Sequence, residues 1–101
     1  MDLSEIQKKI YQNKVNKGFN VKDIGKEIIL MTEELGELAK AYKNSNKKDA
    51  IEINNKEEIL DAIGDLSIYC LGLFKMMGVD GEKVIEDIIR NNENRSHTGH
   101  I

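Results

Sequence analysis

Two groups of carboxylates in this sequence are spaced as a site for a hard cation requires. In the first, within MTEELGELAK, Glu33, Glu34 and Glu37 fall inside one helical turn and a half. In the second, Glu58, Asp61 and Asp65 recur at intervals of three and four residues. On a helix turning about 100° per residue, such intervals gather side chains on one face. With Glu34 at 0°, the apolar residues Leu38, Met31, Ile24, Tyr42, Leu35 and Ile28 spread from about 40° to about 120°. Leu30 and Ala41 lie on the other side, near −40° and −20° on the same rough wheel. Glu34 is therefore bracketed by apolar residues, where a solvated acid would stand opposite them. Glu27 shares its line at about 20°, Glu37 borders it at about −60°, and Glu33 points farther out at about −100°. The second group repeats the anomaly: with Asp65 at 0°, Glu58 sits near 20° and Asp61 near −40°. The same sector continues through Tyr69, Gly72 and Met76 into the most apolar stretch of the chain.

Carboxylates placed inside an apolar stripe must be neutralised, because an unpaired buried charge is too costly to keep. Lysine or arginine could do this, but few of the cations, among them Lys14, Lys17, Lys40 and Arg95, fall at inward positions of the acidic helices. The other agent is a divalent ion. An all-carboxylate set without His or Cys selects Mg²⁺ first and Mn²⁺ second. A di-iron bundle would carry Glu-x-x-His on its helices, and the two histidines, His97 and His100, stand only near the end of the chain. The competing reading is an ordinary Glu-rich surface helix, since EExxE alone mostly marks exposed faces. A second acidic group at helical spacing, also inside a stripe, tilts the balance toward a site.

The elements that would position these acids are helices. The chain has 101 residues, 40% hydrophobic and 33% charged, with no proline and a net charge of −3. It suits one domain, expected over residues 1–95, followed by a polar tail over 96–101. Leu3, Ile6 and Ile10 open a first helix that ends near Gly18. Asn20 and Asp23 form a capping-box variant for the second, with Phe19 and Ile24 at the positions of a hydrophobic staple. That helix runs to about Lys43, its inner face drawn from Ile24, Ile28, Met31, Leu35, Leu38 and Tyr42. NSNKKDAIEINNK reads as a loop in which AIEI could form a turn or an extended piece. Asn55 and Glu58 propose a second capping box for a third helix, from Lys56 to about Met77, hydrophobic almost all round beyond Asp65. Gly78 closes it, and Asp80 caps a fourth helix that uses Val84, Ile85, Ile88 and Ile89 inward. No period-2 segment competes, so an all-α four-helix bundle is expected. The mildly acidic balance argues against a nucleic-acid binder. The lone Cys70, in an apolar run, reads as core filler in a reducing cytoplasm. No signal-peptide core and no stretch of about 18 apolar residues is present, so neither export nor a membrane is expected.

The order of these motifs resembles the MazG-like, all-α nucleoside triphosphate pyrophosphohydrolases. Their hallmark, EExxE on one helix and ExxD on the next, reads here as Glu33-Glu34-Leu35-Gly36-Glu37 and Glu58-Ile59-Leu60-Asp61. QNKVNKGFN, DAIGDLSIYCLGLFKMMGVD and NNENR also look like this family, so the likeness covers most of the chain. Relatives often carry an acidic pair, two further residues and an Asp before the apolar run. In that register Asp65 and Asp61 match, and Ala62 replaces an acid; in the literal register Glu58 and Asp61 form ExxD. Both registers stay open, with Asp61 and Asp65 favoured by the longer GDLSIY match.

The resemblance implies cleavage of a (d)NTP between the α and β phosphates, giving a monophosphate and pyrophosphate. It assigns Glu34, Glu37, Asp61 and Asp65 to Mg²⁺ (or Mn²⁺), and Glu33 or Glu58 to outer-shell or water-activating work. Asn91, Asn94 and Arg95 resemble the helix end that contacts the triphosphate. Lys14 and Lys17 could add charge from the first helix, and Tyr69, one turn past Asp65, could pack on base or sugar. Such proteins are generally homodimers or homotetramers, and the apolar surface of helices 2 and 3 exceeds what two short helices can cover. The rival class is a non-catalytic helical interaction module or a degenerate nucleotide- or metal-binding relative.

Overall fold

In the computed structural model of the chain, the described residues form four helices in order: α1 (Leu3–Asn16), α2 (Ile24–Lys43), α3 (Lys56–Met76) and α4 (Gly81–Glu93). The structure describes residues 1–46, 49 and 51–95, and no strand occurs among them. The expected tail over 96–101, with both histidines, lies outside the described residues. Among the described residues no single helix is long and apolar enough to cross a membrane.

The helix ends show which local signals act. Asp2 caps α1 by accepting from the Glu5 amide at 2.8 Å. At its other end the chain turns through Gly18, and Phe19 N donates to Lys14 O at 2.9 Å. The start of α2 departs from expectation: its N-cap is Asp23, which accepts from Lys26 N at 3.0 Å, and not Asn20. Asn20 instead forms an Asx turn, its Oδ1 accepting from Lys22 N (3.3 Å) and Asp23 N (3.0 Å). The helix therefore begins three residues late, and the Phe19–Ile24 staple loses its register. Phe19 is left 58% exposed. Asp and Asn are similarly good caps; here Asn20 has a competing local turn, and Asp23 takes the helix.

Asn55 does precede α3, but its side chain makes no bond to the first-turn amides. Its Nδ2 donates to Ala41 O at 2.8 Å and to Glu58 Oε2 at 3.4 Å, while its Oδ1 accepts from the buried Ser45 hydroxyl. The expected capping box is thus replaced by a clasp joining the end of α2 to the start of α3. Within the intervening loop Ile51 and Glu52 take the turn form, their amides bonded to Asp49 Oδ1. Asp80 caps α4 as expected, accepting from Glu82 N at 3.1 Å.

α3 is the central element. α2 and α1 both pack against it, and α4 lies against α1 and α3. Buried Gln7 fastens α1 to the α3–α4 turn: its Nε2 donates to Val79 O and its Oε1 accepts from Gly81 N, both at 2.8 Å. The turn needs Gly78, whose φ is 74°. Gly81 is required for a different reason, since a Cβ there would lie 2.4 Å from Phe74 Cδ2.

The inward face of α2 is not the stripe expected from its wheel. Glu27, Ala41 and the following Ser45 are buried, and Glu34, Leu30, Met31 and Leu38 are half-buried. Ile24, Ile28, Leu35 and Tyr42 are exposed. The contact with α3 is centred on the heptad line through residues 27, 34 and 41, and the exposed four lie about 80–120° away from it. On α3 and α4 the same holds for Leu60, Ile63, Ile68, Ile88 and Ile89. Within one chain the buried apolar core among the described residues is only Ala41 and Ala62.

Candidate active site

α2 and α3 run antiparallel, which fixes the order of residues along their seam. Ala41 meets Asn55 at one end. Farther along, Glu34 and Asp65 line one cavity of about 380 Å³. Glu27 and Tyr69 line a second of similar volume. Tyr69, Lys14 and Phe19 border both cavities, so these form adjoining chambers at the junction of α1, α2 and α3. Asn13, Ile10 and Ile68 complete the acidic chamber, and Asn20, Leu30 and Lys26 contribute to the other.

The electrostatics follow from this placement. Partial burial raises the Tyr69 phenol above its ordinary value, and Glu34, Glu27, Asp65 and Glu33 push it further by disfavouring the phenolate. The seam thus carries a negative field. Glu27 is the exception among the acids. It is 2% exposed, accepts from the Lys14 ammonium through Oε1, and accepts from Asn20 Nδ2 at 3.0 Å through Oε2. Burial alone would raise its pKa, but the Lys14 and Asn20 hydrogen bonds and the charges of Lys14 and Lys26 outweigh this and lower it. This ion pair is also a side-chain link between α1 and α2. Among the described residues no buried side-chain polar atom lacks a hydrogen-bond partner.

The structure brings some of the anticipated residues together and leaves others apart. Glu34, Asp65, Tyr69 and Lys14 share the first chamber. Glu37 and Asp61 stand one turn away from Glu34 and Asp65 toward the loop end of the seam; both are exposed and line neither chamber. Glu33 and Glu58 are exposed, with Glu58 held near Asn55. Lys17 is the exposed C-cap of α1. Asn91, Asn94 and Arg95 are exposed at the end of α4 and border neither chamber. The sequence reading put Lys14 forward for its charge alone and gave Glu27 no role, although the wheel placed Glu27 on the Glu34 line. That shared line was the signal available for it. Phe19, at the expected staple position, instead borders both chambers.

Among the described residues, no three His, Cys, Asp or Glu side chains converge as a ready metal cage. A pair of carboxylates over an open chamber suits Mg²⁺, which keeps several waters and usually takes only one or two protein carboxylates beside substrate phosphates. It suits zinc or iron poorly, because His and Cys donors are missing from the chamber. The donor chemistry therefore fits a hydrated hard cation, which Glu34 and Asp65 would hold.

Four helices with no strand among the described residues are consistent with the MazG-like, all-α nucleoside triphosphate pyrophosphatase class. More specifically, the phosphoribosyl-ATP pyrophosphohydrolase family model matches residues 3–92, and the chain is a member of that family. No curated protein and no solved structure is significantly similar to the chain. Membership indicates a hydrolase acting on acid anhydrides, a pyrophosphohydrolase working on a nucleotide.

Proposed function

We propose that the chain is a Mg²⁺-dependent pyrophosphohydrolase that cleaves a nucleoside triphosphate between its α and β phosphates. The observation that carries this reading is the pairing of Glu34 with Asp65 on one chamber, beside Tyr69. A triphosphate and a carboxylate pair repel each other, so the substrate must arrive with a cation. Mg²⁺ would supply charge neutralisation at the phosphoryl oxygens and acidify a bound water. Glu34 and Asp65 hold that ion on this reading, and Glu37 and Asp61, one turn along, extend the acidic track for water-mediated or further coordination. Glu33 or Glu58 orients the attacking water as base. Tyr69 and Phe19 offer aromatic surface to the base or sugar. Lys17, Asn91, Asn94 and Arg95, which line neither chamber, would offer donors to the phosphates from outside it, while the Lys14 ammonium stays with Glu27 on the chamber wall.

The family match favours a second substrate within the same chemistry: an ATP bearing an added phosphoribosyl group, as the family's description names. Both substrates present the same anhydride, and they differ in what the chamber must hold beyond it. A panel of (d)NTPs with phosphoribosyl-ATP, assayed for pyrophosphate in Mg²⁺, separates them by kcat/KM. Release of orthophosphate would defeat the proposed bond, and no turnover of any member would favour a non-catalytic module. Mg²⁺ or Mn²⁺ should also raise Tm, because the ion binds the folded seam and not the unfolded chain.

The same proposal includes a second copy of the chain. The accessible surface is 7661 Å², against roughly 5,800 Å² expected for a folded monomer of this mass. A second copy would cover apolar surface that contributes to this excess. The exposed Ile24, Ile28, Leu35 and Tyr42 on α2, with Leu60 and Ile63 on α3, supply apolar surface of the composition such interfaces use. Sedimentation of the purified chain distinguishes monomer from dimer or tetramer.

A further inference from the structure

Glu27 is the largest fully buried side chain among the described residues, and it is an acid. Its partner Lys14 is 13% exposed and borders the chamber that holds Glu34 and Asp65. The ammonium is bonded to one carboxylate, Glu27, and lines a chamber that holds two more, so only one of its possible partners leaves the cation site open. If Lys14 turned to Glu34 or Asp65, it would neutralise the pair and place its own charge where a divalent ion belongs. Several contacts hold it the other way. Glu27 takes the ammonium through Oε1, while Asn20 Nδ2 fixes Oε2 at 3.0 Å. Asn20 is itself pinned: its Nδ2 also donates to Asp23 O at 2.8 Å and its Oδ1 accepts two turn amides. The Lys14 stem runs past Gly72, where an added Cβ would already touch its Cδ at 3.7 Å, and Nζ lies 4.0 Å from Met76 Sδ.

We propose that Glu27 is a positioning residue that sequesters the Lys14 ammonium, keeping Glu34 and Asp65 un-neutralised and free to take a divalent cation. This rests on the reading of Glu34 and Asp65 as the cation's ligands. A buried ion pair is in general no more stabilising than an apolar pair of the same shape. Lys14 borders the acidic chamber while Glu27 lines the adjoining one, and this gives the pair work that an apolar pair could not do.

The test is Mn²⁺ affinity, measured by electron paramagnetic resonance of free and bound ion on the intact chain without nucleotide, with circular dichroism to confirm the fold. Glu27→Gln releases the ammonium toward the remaining carboxylates, and Mn²⁺ binding should weaken about tenfold. Adding Lys14→Met to Glu27→Gln removes the competing charge and should restore binding to within about twofold of wild type. Glu27→Asp keeps the charge but shortens the reach, so its affinity should fall between wild type and Glu27→Gln. It serves as the test should Glu27→Gln fail to fold. If the pair merely ties α1 to α2, the double variant, which lacks that tie altogether, would bind no better than Glu27→Gln, and the inference fails. Wild-type affinity in folded Glu27→Gln, or in Glu27→Asp where that is the folding variant, also overturns it while leaving the Glu34–Asp65 reading intact. Absence of Mn²⁺ binding in the wild-type chain overturns both.

Discussion

The two faces of α2 treat water in opposite ways. One face turns Glu27, Glu34 and Ala41 toward α3, and the acid at its head is 2% exposed. The other presents Ile28 at 50% and Leu35 at 54% exposure, and Tyr42 beside them is also open. A helix packed only for stability would reverse this, because burying a Leu or Ile gains about 1.5–3 kcal/mol and burying an acid costs unless it is paired. The contrast teaches that the seam with α3 is shaped for charge, while the hydrocarbon on the flank stays open to solvent within one chain. On the proposals above, the first face holds the cation and the second holds another copy.

The sharpest way to break the buried face is to remove one half of its ion pair. Glu27→Ala leaves Lys14 without a counter-charge and should cost about 3–5 kcal/mol in urea unfolding. Replacing both Glu27 and Lys14 with methionine should cost far less, since packing is kept and no charge is stranded. Next in size, Glu34→Gln or Asp65→Asn should lower kcat/KM for pyrophosphate release at least about 100-fold, roughly 2.7 kcal/mol in transition-state terms. Retention of full Mg²⁺-dependent activity in either variant would remove the chamber from the chemistry.

The exposed face is broken by charge. Leu35→Lys or Ile28→Lys should shift the chain toward monomers in sedimentation, with association weakened by about 2 kcal/mol for a central contact. An unchanged sedimentation profile for both would place the partner elsewhere. The smallest effect sharpens the first face again. Glu27 has a folded pKa below its ordinary value of 4.5, so its pairing stabilises the fold above about that pH and is lost as pH falls through the lower, folded value. Between those two values the unfolded chain holds more protons, and stability should climb with pH. In the Glu27→Gln/Lys14→Met variant that part of the slope should disappear from an acid unfolding series.

Much of this was legible before any tertiary structure. Asp80, Gly18 and Gly78 mark helix ends through chemistry that acts within a few residues, and each marks the end anticipated for it. Glu34 stood out because a wheel needs only spacing. Asn20 and Asn55 misled for one reason: a side chain able to cap a helix can spend its bonds elsewhere. Asn20 closes its own turn, and Asn55 clasps Ala41 across the loop. Local sequence carries no information on which of these satisfied states wins.

By itself, then, the sequence determined the helices, their acidic pairs and the amphipathic contrast along α2, all properties of spacing and local bonding. Only the tertiary structure decided that the contact with α3 centres on the Glu27–Glu34–Ala41 line and not on the apolar stripe beside it. It also decided that Lys14 reaches Glu27 from α1, a partner 13 positions away in sequence. The physical reason is that a wheel gives angles within one helix, while burial and pairing depend on the rotation of each helix against its neighbours, which no single helix can set.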